Sequence, residues 1–212
     1  MGYQNRSIQS GYTSISPVFV SVSDASVYKV KDIKGEFSEG DSIQIFGSIG
    51  DVETEYFYCE QGSLVEGKTG WYADDFETPV GDKDLLAGSE FWFNAQGNAE
   101  ITISGQVNKN DIVVELSSGF TPVGNCAPVA YVLDDFLFEN LAEGDSIQIF
   151  DSLGDVLAEY FYCEQGSLVE SKTGWYADDF ETQAGATPIE SGKGFWMNCQ
   201  SKGATITIPS AL

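Results

Sequence analysis

The chain of 212 residues contains no histidine. Without imidazole there is neither a Ser-His nor a Cys-His nucleophile pair, and the zinc sets that depend on histidine ligands are excluded. The four cysteines include no C-x-x-C spacing, which argues against structural zinc as well. No G-x-G-x-x-G is present, and no phosphate-cradling loop is expected. Positive charge is scarce: ten basic side chains stand against thirty-three acidic ones, a formal charge of -23. A field of that sign repels nucleic-acid phosphates and anionic membrane surfaces, so nucleic acid is not an expected partner. It suits solubility, calcium, or a crowded extracellular medium. No apolar run reaches the roughly eighteen residues of a spanning helix, so no membrane insertion is expected. The start, MGYQNRSIQSGY, lacks the basic and then apolar regions of a leader. A strand-like start directly after Met1 reads as a mature chain whose leader has been replaced by methionine, which places the protein outside the cell or at its surface.

What the chain does have is a long repeat. Gly40 to Thr78 is written again at Gly144 to Thr182 with five differences: Gly47 becomes Asp151, Ile49 becomes Leu153, Glu53 becomes Leu157, Thr54 becomes Ala158, and Gly67 becomes Ser171. Self-similarity of this kind decides the architecture before anything else. It divides the chain into two tandem homologous units, 1–107 and 108–212. The flanks have drifted while the block has not, so either the block was recently homogenised or both copies present the same surface. SIQIF and EYFYCE alternate or run apolar as strands do, and glycines punctuate at turn spacing. The predicted class is all-β, with each unit an antiparallel sandwich or barrel-like domain. Each unit is expected to open with one long bent strand, Arg6 to Ser23 and Asp111 to Leu133. EYFYCE is apolar on both faces, Phe57 and Cys59 on one and Tyr56 and Tyr58 on the other, so both should be covered. Replacement of Phe93 by Met197 marks a core position, with Phe91 and Phe93 inward and Trp92 outward or toward a second sheet.

Three groups of candidate site residues follow. Asp74, Asp75 and Glu77, repeated as Asp178, Asp179 and Glu181, are candidate calcium ligands if their turn lets the carboxylates converge, and calcium is the one cofactor considered. A glycosidase needs a similar carboxylate pair, but the same trio twice at an acidic turn argues against it, and the chain is not expected to be an enzyme. The aromatics Tyr58, Trp71 and Trp92, with Tyr162, Trp175 and Trp196, are candidates for a sugar-stacking or interface surface. Cys126 and Cys199 occur only in the second copy and are predicted to bond to each other, whereas Cys59 and Cys163 read as buried thiols.

The blocks GYQ at the start, GDSIQI, GWY followed by acidic residues, G-x-x-FW and a closing ITISG together cover almost the whole chain. In these the chain resembles uncharacterised bacterial secreted tandem β-repeat proteins. The resemblance implies export and two β-units, and carries over no catalytic residue. The expected function is an extracellular structural or surface protein, self-associating into a filament or lattice through edge strands, the N-terminal arm and the duplicated hairpin. The alternative is a non-catalytic polysaccharide-binding or adhesion module that uses exposed aromatics.

Overall fold

The computed structural model describes residues 1–21, 27–47, 50–169 and 172–212. Ile49 and Ser171, two positions at which the repeat copies differ, lie outside them, as does the end of the first predicted strand.

The first unit runs β1 (Gly2–Ile8), β2 (Gly11–Ile15), β3 (Val27–Lys29), a 3-10 turn at Val30–Asp32, β4 (Lys34–Gly35) and β5 (Ser42–Phe46). It continues through β6 (Val52–Cys59), β7 (Gly70–Tyr72), β8 (Asp84–Leu86), β9 (Phe91–Ala95) and β10 (Ala99–Gly105). The second unit repeats the order: β11 (Ile112–Leu116), β12 (Gly119–Gly124), β13 (Tyr131–Val132), a 3-10 turn at Leu133–Asp135, β14 (Leu137–Glu139) and β15 (Ser146–Phe150). Its remaining strands are β16 (Val156–Cys163), β17 (Gly174–Tyr176), β18 (Pro188–Ile189), β19 (Gly194–Cys199) and β20 (Ala204–Ile208). The fold is all-β. In each unit a five-stranded sheet, ordered β2-β9-β5-β6-β7 or β12-β19-β15-β16-β17, accompanies a three-stranded sheet, β1-β10-β4 or β11-β20-β14. A short pair, β3-β8 or β13-β18, completes each unit.

The opening stretch is two strands in two sheets rather than one bent strand. The backbone turns between them at Gly11 and at Gly119, whose φ of 107° and 92° suit residues without a Cβ. The first core lies between the sheets: Ile8, Ile101 and Ile103 from one meet Ile15, Ile43, Phe91 and Phe93 from the other. The second repeats this with Leu116, Ile206 and Ile208 against Val123, Ile147, Phe195 and Met197. β6 is covered on both faces. Tyr56 and Tyr58 pack on the main core, while Phe57 and Cys59 meet Val65, Tyr72 and Phe76 beneath the following loop.

Several elements assigned to intermolecular contact are used within the chain. All of β1, Gly2 to Ile8, is paired in register with β10 of its own unit, so the N-terminal arm is already a strand in cis. The outer edge of β7 is covered by the returning chain, through a Tyr72 to Pro79 bridge and the Val80 N–H to Trp71 carbonyl bond of 2.9 Å. A proline at that edge removes a donor and blunts it further.

The predicted Cys126–Cys199 disulfide is not formed: all four cysteines are free and buried. The register explains this. Cys199 pairs with Gly119 at one end of the β12–β19 ladder while Gly124 pairs with Gly194 at the other, and Cys126 lies two residues beyond. Five strand residues at about 3.3 Å each separate the two cysteines by most of the ladder, far beyond the roughly 7 Å Cα reach of a disulfide. Burial raises both thiols, Cys126 to about 11 and Cys199 to about 12.

Candidate functional site

Two places hold most of the unusual chemistry: the seam between the units and a cleft in the first unit. At the seam the duplicated hairpins reach across and grip each other. Trp92, Trp196 and Phe150 form a buried cluster with Tyr12, Phe46 and Phe120 packed against it. The contacts are reciprocal. Phe46 lies 5.0 Å from Trp196, Phe150 lies 5.3 Å from Trp92, and the two tryptophans are 5.9 Å apart. The Ser16 N–H donates to the Gly192 carbonyl at 2.9 Å, and the matching Gly124 N–H donates to Gly88 at 3.0 Å. Residues that occupy equivalent positions, Ser16 with Gly124 and Glu90 with Gly194, touch one another, so a pseudo-twofold axis runs through them. A Cβ on Gly124 would lie 2.1 Å from that of Ser16, and one on Gly194 would lie 2.2 Å from the Glu90 carboxyl carbon.

Glu90 is 2 % exposed. Trp92 Nε1 donates to its Oε1, while Oε2 has no partner, and neither does the nearby Trp196 Nε1. Burial pushes the Glu90 carboxyl up to about 7, against the opposing pull of Ser14, Trp92 and Lys193. The same burial lowers Lys193, which the Glu90 charge partly restores.

The cleft lies over Trp71. It encloses about 1040 Å³ and is lined by Lys31, Lys34, Phe37, Tyr58, Glu66, Lys68, Trp71, Tyr72, Phe76 and Glu77, among others. The volume matches the upper end of ligand sites, about 300–1,000 Å³. The floor is aromatic: Phe37 lies tilted at 5.1 Å from Tyr58 and edge-on at 5.2 Å from Trp71. Lys31 pairs with Asp82 at the exposed rim, and Lys34 Nζ donates to the Lys31 carbonyl at 2.7 Å. Among the described residues no ion pair engages Lys34 or Lys68.

The equivalent place in the second unit, over Trp175, encloses only about 90 Å³. β4 pairs Gly35 with Ile101, and β14 pairs Phe138 with Ile206. Both units set a phenylalanine ring edge-on to the tryptophan: Phe37, 5.2 Å from Trp71, packs where a side chain on Gly35 would lie, and Phe138 itself lies 5.1 Å from Trp175. By the same alignment Lys34 corresponds to Leu137. Lys31 and Asp134 each sit second in their 3-10 turn and donate their N–H to Gly81 and to Gly185. Two of the three cations of the first cleft are thus replaced, by an apolar and an acidic residue, and Lys68 keeps its counterpart in Lys172.

The sequence candidates divide between these places. Trp92 and Trp196 are in the seam, each 8 % exposed, and Trp92 faces the other unit. Trp71 and Tyr58 line the cleft, and Trp175 and Tyr162 are their closed counterparts, 5.6 Å apart. No exposed coplanar row forms. The acidic turns have a structural job: Asp75 accepts from the Glu77 N–H at 2.9 Å, from the Thr78 N–H at 2.8 Å and from the Thr78 hydroxyl at 2.6 Å. These bonds, the hydroxyl's first, hold its carboxyl below the usual range, and Asp179 repeats the set. They hold Phe76 and Phe180 at a φ of 55°. Among the described residues no three His, Cys, Asp or Glu side chains are grouped to hold a metal, and none of the helices crosses a membrane in length and apolarity.

Lys31, Lys34, Phe37, Lys68 and Glu90 were not among the sequence candidates. The signal was available for the lysines, since three of ten basic residues in an acidic chain recur here. A spelling was also missed: Gly62 to Thr69, GSLVEGKT, reads G-x-x-x-x-G-K-T. Its context is wrong for a phosphate loop, because it joins antiparallel β6 to β7 with no helix behind it. Its own groups are also engaged: Gly62 N–H binds the Val65 carbonyl and Thr69 Oγ1 accepts from Gln61.

No family model matches the chain, and neither a curated protein nor a solved structure does.

Proposed function

We propose that this chain is an extracellular, non-catalytic binding module whose ligand is a polysaccharide segment held in the cleft over Trp71. One observation carries the reading: a cleft of about 1040 Å³ with an aromatic floor and polar rim in the first unit, against about 90 Å³ at the equivalent place in the second. Half-buried rings suit the apolar face of a sugar, and the rim offers donors and acceptors to its hydroxyls. The second unit then serves to brace the first across the seam.

Affinity gel electrophoresis over a panel of plant and microbial polysaccharides tests this. Retardation by at least one glycan, abolished by Tyr58→Ala and unaffected by the mirror change Tyr162→Ala, is the expected result. No retardation by any glycan, or equal loss from both variants, would refute the reading.

A second reading keeps self-association, favoured by one surface. The loops after β6 and β16 present Leu64 and Leu168, each 56 % exposed, at matching positions of the two repeats. Two equal patches per chain allow head-to-tail growth. Sedimentation velocity showing concentration-dependent oligomers, lost in Leu64→Glu/Leu168→Glu, supports it, and monomers at all concentrations remove it.

A further inference from the structure

We infer that the sugar taken by this cleft is acidic, a pyranose ring bearing a carboxylate or a sulfate; the inference rests on the binding reading above. Across the chain acidic groups outnumber basic ones thirty-three to ten, yet around this cleft three lysines, Lys31, Lys34 and Lys68, face two glutamates, Glu66 and Glu77. Lys31 is paired with Asp82 at the rim, so the count is even, and the acidic excess of the rest of the chain is absent here. Lys34 and Lys68 are exposed at the rim and take part in no ion pair among the described residues, so their ammonium groups remain able to donate to an incoming anion. Such charge-assisted bonds are the strong kind. Glu66 and Glu77 are acceptors only, and suit sugar hydroxyls rather than a bare anion. Tyr58 and Phe37 supply the flat apolar contact.

The twin site supports the assignment by contrast. It keeps one lysine, Lys172, but sets Asp134 where the first has Lys31, and it encloses only about 90 Å³. The overall negative charge acts against a long polyanion, since distant repulsion is screened only over about 8 Å at physiological salt. A short acidic oligosaccharide is therefore preferred to the intact polymer.

Isothermal titration at physiological salt tests this with four probes: oligogalacturonate, a chondroitin sulfate oligosaccharide, a neutral cello-oligosaccharide and ATP. Binding of one or both acidic sugars is expected, with Lys34→Gln and Lys68→Gln each weakening it about tenfold while melting temperatures hold. Carboxylate-only or sulfate-only binding identifies the group and supports the inference equally. If the neutral sugar binds as tightly and the glutamine variants bind unchanged, the acidic assignment falls while the binding module stands. If ATP alone binds, or nothing does, both fall.

Discussion

The two units contain almost the same block of sequence and put it to different uses. Over Trp71 the block borders an open cleft, and over Trp175 it borders a closed one. The cleft walls differ outside the block, where Lys34 and Lys31 stand against Leu137 and Asp134, and once within it, where Gly67 stands against Ser171. A conserved scaffold thus does not make a site by itself. At the seam the reverse holds, and the units behave alike because each is the other's partner.

The largest expected effect tests that likeness. Trp92→Ala and Trp196→Ala each empty the same aromatic cluster, so each should cost about 3–5 kcal/mol in urea unfolding, with the larger loss at Trp92, whose Nε1 also donates to buried Glu90. A small loss from either one would break the reciprocity. Next is Glu90, which has no acidic counterpart. Its folded pKa, about 7, lies above the ordinary 4.5, so the folded state holds the proton more tightly. Stability is then fullest below about pH 4.5, falls as pH rises through 7, and levels off above. The fall is about 3 kcal/mol from this group. In Glu90→Gln that decline should vanish from a denaturation series across pH 4 to 8.

Smaller effects address the twin turns. Asp75→Ala and Asp179→Ala should lower the thermal midpoint slightly and equally, because each loses the same three bonds. Both carboxyls are depressed, so the wild-type contribution is present above the ordinary carboxylate range and lost as pH falls through their own. Smallest is Asp134→Lys/Leu137→Lys, which copies the cations but leaves the second cleft narrow. Titration should still give one ligand per chain, and two would show that charge rather than space separates the clefts.

Much of the scaffold was legible in the sequence. The repeat gave two units, the apolar pattern of β6 foretold cover on both faces, and the Phe93 to Met197 exchange set Phe91 and Phe93 inward, where they are 2 % and 0 % exposed. The cleft was not legible, because β4 and the loop before β7 are distant in sequence and meet only through the sheets. The drifted flanks hid the correspondence of Lys34 with Leu137 and of Gly35 with Phe138, which only strand register reveals. The disulfide failed for the same reason: shared novelty in one copy says nothing of where along a ladder two cysteines fall.

The axial contacts also bear on why two units share one polypeptide. Two identical protomers meeting about this axis would bring Ser16 onto Ser16 and one carboxylate onto another in a dry space that holds a single one. Fusion lets the halves differ at the places symmetry would otherwise force to match, with glycine on one side yielding room to a larger neighbour. A homodimer of the first half about this same axis is sterically barred, and the glycines of the second half are what allow the seam to close.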